Sequence, residues 1–224
     1  MSEVEDKFVF QSPTEDAIAR LEDGDCKNTS EVICRIRNFK HVAKLGEELK
    51  KQIEKGDSRI VFSSVGYQDS QKKAVFAIGC YLADVMSEKK VLIITSGKSG
   101  DAFKFFKASE QSQAIENCSV YRFGKNISII DLEDFVGFGE EREKTLNYLI
   151  GAVEAHDIVL WNSPDVQVMR QYLQTYHRIL QVFQILTLIV GSSDLTTKNV
   201  EEIKDFFESH GISLRGAIFS PMTK

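Results

Sequence analysis

A chain of 224 residues with 42% hydrophobic and 27% charged side chains has an ordinary globular balance, which excludes disordered and collagen-like classes and makes one compact core the default. Lysine and arginine number 28 against 33 aspartate and glutamate, a formal net charge of -5. The basic footprint of a general nucleic-acid binder is therefore missing, and DNA or RNA is not an expected partner.

The first element is signalled by Ser12-Pro13-Thr14-Glu15, an N-cap, a proline at the first helical position and a capping-box glutamate ahead of Ala17, Ile18 and Leu21. Residues 23–30 (DGDCKNTS) are polar and turn-rich. Ser30 can cap a long second helix running to about Lys55, with an apolar stripe through Val32, Ile33, Ile36, Phe39, Val42 and Leu45, closed by Gly56-Asp57. Residues 1–56 thus make an N-terminal helical extension. From residue 57 to 224 the rhythm changes to alternating strands and helices: a strand at 59–64 (RIVFSS), a helix at about 70–87, and a strand at 91–95 (VLIIT). Further strands are predicted at 119–123, 127–130, 158–161, 185–190 and 215–219, and further helices near 139–155, 165–180 and 197–209. Several of these strands are continuous apolar runs, as expected when helices cover both faces of a parallel sheet. The predicted fold is α/β, a three-layer α/β/α sandwich with a mostly parallel sheet and right-handed crossovers.

In an open α/β sheet, ligands sit beyond the carboxyl ends of the strands, and the loop after the first strand is the usual phosphate cradle. Here it is 63–73, SSVGYQDSQKK. Gly66 on its own requires only a tight turn. The strand at 91–95 runs into Thr95-Ser96-Gly97, and the strand at 158–161 into Asn162-Ser163-Pro164-Asp165.

These three strand ends, in this order, resemble the P-loop fold of the bacterial capsular and exopolysaccharide tyrosine kinases (CpsD- and CapB-like), relatives of the MinD-type ATPases. The resemblance spans about residues 31–220. In that family the loop reads TS-x-x-x-GEGKST, so Gln68, Asp69, Ser70, Gln71, Lys72 and Lys73 stand in its last six positions and Gln71 replaces the Walker lysine. A second signature, V-L-L-I-D-x-D, is matched by Val91-Leu92-Ile93-Ile94-Thr95-Ser96-Gly97, without either aspartate. A third, I-I-D-T-P-P, is matched by Leu160-Trp161-Asn162-Ser163-Pro164-Asp165, with Asn162 in place of the metal-organising carboxylate. Residues 186–220 look like the family's closing strand, Thr-capped helix and strand. The E-x-x-R-x-x-R assembly motif finds Glu31, Cys34 and Arg37, with Arg35 beside the missing arginine, and has a rival reading as solvated helix residues. No tyrosine follows Tyr176, whereas autophosphorylating relatives carry a tyrosine-rich tail.

Phosphoryl transfer depends on positioned charge, with lysine and Mg²⁺ neutralising the developing negative charge. Gln71 can donate a hydrogen bond but brings no charge; a charge-assisted bond is worth roughly 1.5 to 3 kcal/mol against about 1 for a neutral one. The resemblance therefore implies a kinase-like frame without catalytic residues, cofactor or metal. Its degenerate ligand positions are Gly66, Ser70, Gln71, Lys72, Lys73, Thr95 and Asn162. It also implies a cytoplasmic regulatory or scaffolding protein in exopolysaccharide biosynthesis or export. The partner expected is a protein, a membrane polysaccharide copolymerase or a true kinase, which would hold the chain at the inner membrane, with a homo-oligomer also allowed. The alternatives are an atypical ATPase or autokinase using Lys72 or Lys73, and a spatial regulator of MinD type. A one-residue slip would bring Lys72 to the phosphate, but Lys73 would then displace the Ser/Thr metal ligand.

The remaining chemistry-bearing residues have plainer readings. Cys26, Cys34, Cys80 and Cys118 lack C-x-x-C spacing and MSEVEDKFVF lacks the character of a secretory signal, which points to a reducing compartment. The most apolar stretch, 179–190, is interrupted by Gln181 and Gln184 and is shorter than the ~20 residues a spanning helix needs. His41, His156, His177 and His210 are dispersed without ligand spacing and read as surface or structural histidines. Cys80 reads as a buried small hydrophobe. Glu140-Glu141-Arg142-Glu143-Lys144 starts an exposed helix, and Lys50, Lys51 and Lys55 share a mixed face with Glu47, Glu48 and Glu54. Trp161 has two readings of equal standing, filling the vacated nucleotide pocket or packing in the interior.

Overall fold

The computed structural model describes residues 40–65, 68–96, 111–115, 118–123, 125–132, 140–191 and 197–220. The expected first helix, the start of the second, the Glu31–Arg37 motif and Gly66 lie outside them. Helix α1 spans Lys40–Glu54, and its buried positions Val42, Gly46, Leu49 and Ile53 recur at helical spacing. It ends in a Schellman arrangement: Gly56 sits at φ 107°, Gly56 N donates to Ile53 O at 3.0 Å, and Asp57 N donates to Gln52 O at 3.1 Å. This is the Gly56-Asp57 stop read from the sequence.

The strands are β1 (Arg59–Val65), β2 (Val91–Ser96), β3 (Gln111–Ile115), β4 (Cys118–Phe123), β5 (Ile127–Leu132), β6 (Ile158–Asn162), β7 (Ile185–Gly191) and β8 (Ser213–Ser220). They form one eight-stranded sheet in the order β3-β4-β5-β2-β6-β1-β7-β8. The pairs from β5 to β8 are parallel, while β3–β4 and β4–β5 are antiparallel. The connecting helices are α2 (Gln68–Val85), α3 (Glu140–Glu154), α4 (Val166–Gln171), α5 (Leu173–Leu180) and α6 (Thr197–Glu208). The predicted helix over 165–180 is thus divided at Tyr172, whose ψ of 37° takes it out of helical geometry. Strand β3 was not expected from the sequence.

Side chains alternate along each strand and build two cores. Ile60, Phe62, Ile93, Ile129 and Leu160 face α1 and α2. Val61, Leu92, Ile94, Ile130, Val159, Trp161 and Leu186 face the core that contains Leu149 of α3, Met169 of α4, Ile179 of α5 and Phe207 of α6. The three-layer sandwich follows from that division. Helix α2 is buried nearly all round, from Ala74 to Ala83, because it lies between the sheet and α1. At Gly79 it comes so near the sheet that a Cβ would meet Ile93 Cδ1 at 2.5 Å. At the opposite rim Asp157 Oδ2 accepts from Lys90 N at 2.9 Å. That bond, with Lys89 and Lys90 nearby, holds the carboxyl below its ordinary range and fixes the starts of β2 and β6 side by side.

Candidate functional site

From β1 the chain crosses through α2 to β2 on one side; from β6 it crosses through α4 and α5 to β7 on the other. Adjacent strands whose connections leave in opposite directions open a crevice at their carboxyl ends, the usual ligand position of such sheets. In this protein the β1/β6 crevice is spanned by Gln71. From the first turn of α2 its Nε2 donates to Phe62 O at 2.7 Å and to Ser163 O at 3.2 Å, and the residue is 1% exposed. Ser163 N in turn donates to Phe62 O at 3.0 Å. Two carbonyls can be met only by the NH₂ end of the amide, so the orientation of Gln71 is set by its surroundings. Gln71 is thus a neutral staple between the two strands.

Asn162 and Thr95 lie in the same transverse row, Asn162 opposite Phe62 on one side and opposite Thr95 on the other. Both are buried, Asn162 at 2% and Thr95 at 1% exposure. Asn162 Oδ1 has no hydrogen-bond partner. Ser63 Oγ is also buried without a partner, but Ser63 pairs with Leu188 and alternates onto the Trp161 side of the sheet. Lys72 is buried at 6% exposure, and none of the ion pairs among the described residues engages it. The side chains of Ser70 and Lys73, like Gly66, lie outside the described residues. The structure thus brings Gln71, Thr95 and Asn162 to one crevice.

The register adds one carboxylate that the sequence reading did not single out: Asp131 stands opposite Thr95 on β5. Its strand lies three strands from β1, about 14 Å by strand spacing. The signal that could have found it is the ISIID run, a second apolar strand ending in an acid. A magnesium nucleotide asks for hard oxygen ligands and a positive charge at the phosphates. Gln71, Thr95 and Asn162 are neutral and supply no such charge, and the Gln71 Nε2 is bonded to backbone carbonyls, so these three residues do not fit that group.

Replacing Gln71 by leucine should lower stability by about 2 kcal/mol, read as a lower urea midpoint, because Ser163 O loses its bond to Gln71 inside the protein while Phe62 O keeps Ser163 N. No loss on Gln71→Leu would mean that the staple is not made.

Trp161 packs in the interior. It is 1% exposed, its ring centroid 6.2 Å from that of Tyr176 and 5.2 Å from that of Phe183. Alternation along β6 turns it away from the face of Asn162, so it does not fill the crevice. Cys80 is a free, buried thiol whose pKa burial pushes well up, which makes it inert. His156 is structural, Nδ1 against Ala152 O at 2.7 Å and Nε2 against Ser128 Oγ at 3.0 Å. Glu143 is exposed near the start of α3 and pairs with Arg178 at 2.8 Å, and Lys51 pairs with Glu48 at 3.1 Å; such exposed pairs contribute little.

No family model matches the chain, and no curated protein matches its sequence. Solved structures do. The BceF tyrosine kinase domain is similar at a TM-score of 0.62 with 17% identity, over 97% of this chain and 93% of that one. The kinase domain of the Escherichia coli tyrosine kinase ETK is similar at 0.56 with 19% identity, over 82% and 75%. The VpsO kinase domain is similar at 0.57 with 12% identity, over 94% and 100%. At such identities the likeness is one of architecture: the chain carries the mostly parallel α/β fold of bacterial tyrosine-kinase domains.

Proposed function

We propose that this protein is a kinase-like module that no longer transfers phosphate and acts through protein contacts in exopolysaccharide biosynthesis or export. The observation that carries the reading is the Gln71 amide, bonded to Phe62 O and Ser163 O in the crevice where a kinase of this fold would need a free cation. Thr95 and Asn162, neutral at the ends of β2 and β6, support it. A frame with these positions filled by neutral groups keeps its shape and loses its electrostatics, which is what a docking scaffold or regulator requires. The partner proposed is a membrane polysaccharide copolymerase or an active kinase, met in the cytoplasm at the inner membrane.

A second reading has one observation in its favour: Lys72 is buried next to Gln71, and a lysine at that depth could serve a nucleotide enzyme of unusual construction. Turnover separates the two. With radiolabelled ATP and Mg²⁺ the full chain should release no phosphate above buffer and carry none on tyrosine. Phosphate release that disappears in Lys72→Ala would establish the second reading and overturn the first.

A further inference from the structure

The end of the sheet away from the crevice carries two histidines that sequence spacing alone keeps apart. Helices α5 and α6 each return to the start of a strand, β7 and β8, and those strands are parallel neighbours. The C-terminal ends of the two helices therefore come together, and with them His177, in α5, and His210, just past α6. Their ring centroids are 5.9 Å apart at an interplanar angle of 65°. His177 is exposed and His210 half-buried.

We propose that His177 and His210 form a binding site for a divalent transition-metal ion of the kind imidazole prefers, Zn²⁺, Ni²⁺ or Cu²⁺. The spacing is the first support. Two imidazoles that share one ion at about 2.1 Å and near-tetrahedral angles hold their ring centroids about 5 to 6 Å apart. The second is the orientation of His210. Its Nδ1 lies 2.8 Å from Phe206 O and 3.1 Å from Ser209 Oγ. A carbonyl at Nδ1 fixes the proton there and leaves Nε2 with its lone pair, the arrangement in which a ligating histidine is held by its outer partner. The third concerns His177, whose Nε2 accepts from Gln181 Nε2 at 3.0 Å. That bond turns the Nε2 lone pair toward an exposed, replaceable amide. Phe206 packs against His210 at 4.8 Å between centroids and limits its freedom. Water, or the Gln181 amide oxygen after rotation, completes the coordination. No third histidine, cysteine or carboxylate joins the pair among the described residues, so the site is an open one.

Such an ion would tie α5 to the α6–β8 corner and stabilise the folded chain by mass action. The test is a Zn²⁺ titration of the full chain in a background with Cys26, Cys34 and Cys118 changed to serine, so that those thiols do not compete, followed by histidine ring resonances. The expected result is saturable shifts at His177 and His210 and none at His156, whose two ring nitrogens are both engaged within the fold. His177→Ala and His210→Ala should each weaken affinity at least tenfold and abolish the Zn²⁺-induced rise in melting temperature. His177 is exposed, so its substitution leaves the core intact, and for the half-buried His210 the melting temperature without Zn²⁺ separates loss of binding from loss of fold. Equal affinity in both variants, or shifts of His156 alongside the pair, would overturn the proposal.

Discussion

Replacing Trp161 by alanine is expected to lower unfolding stability by about 3 to 5 kcal/mol. Trp161 stands on β6, between β2 and β1 at the centre of the sheet. It is 1% exposed and packs against Tyr176 of α5 and Phe183. Truncation removes the transfer free energy of a large aromatic and leaves a cavity that the flanking strands, paired on both sides, are poorly able to close. Against a total of about 5 to 15 kcal/mol for a domain, that is a large share, visible as a marked drop in the urea midpoint. Trp161→Phe should cost less, because an aromatic remains against Phe183. A loss under about 1 kcal/mol for alanine would place the indole in an open pocket and contradict the packing described.

The second large effect is at Gly46, where α1 crosses α2. A Cβ built there would lie 2.1 Å from Tyr81 Cδ1 and 2.4 Å from Cε1. The Tyr81 ring cannot easily withdraw: it is 6% exposed and its hydroxyl donates to Glu47 Oε1. Gly46→Val should therefore cost about 3 kcal/mol through overpacking, even though valine is the better helix former. Gly151, exposed in α3, is the contrast, since a Cβ added there would meet nothing within 4 Å; Gly151→Ala should gain about 0.5 to 1 kcal/mol. Urea titration of both variants separates steric conflict from helix propensity. Equal effects of one sign would contradict the account of the α1–α2 contact.

Much of the architecture was legible because its signals are local. β6 and β2 are buried on both faces and so read as continuous apolar runs, and Gly56 marked the end of α1 through the positive φ that a Schellman stop favours. Strand β3 was not legible: QSQAI at the sheet edge is mostly polar, and only its pairing with β4 makes it a strand. The break at Tyr172 was missed because both halves of 165–180 share one apolar period. At the crevice, the identities of Gln71, Thr95 and Asn162 could be read from their places after strands. That the Gln71 amide closes on two carbonyls from different strands could not, since it depends on how β1 and β6 lie together. The two readings of Trp161 were separable only by the face to which alternation assigned it. His177 and His210 meet because β7 and β8 are neighbours, a fact of topology that spacing along the chain does not contain.

The proposed function depends on the crevice at the ends of β1 and β6, where Gln71 is bonded to backbone, failing to bind nucleotide. Calorimetric titration of the full chain with ATP in the presence of Mg²⁺ tests it most directly. No saturable heat is expected, with or without the metal. Saturable, magnesium-dependent binding that is lost on Lys72→Ala would contradict it.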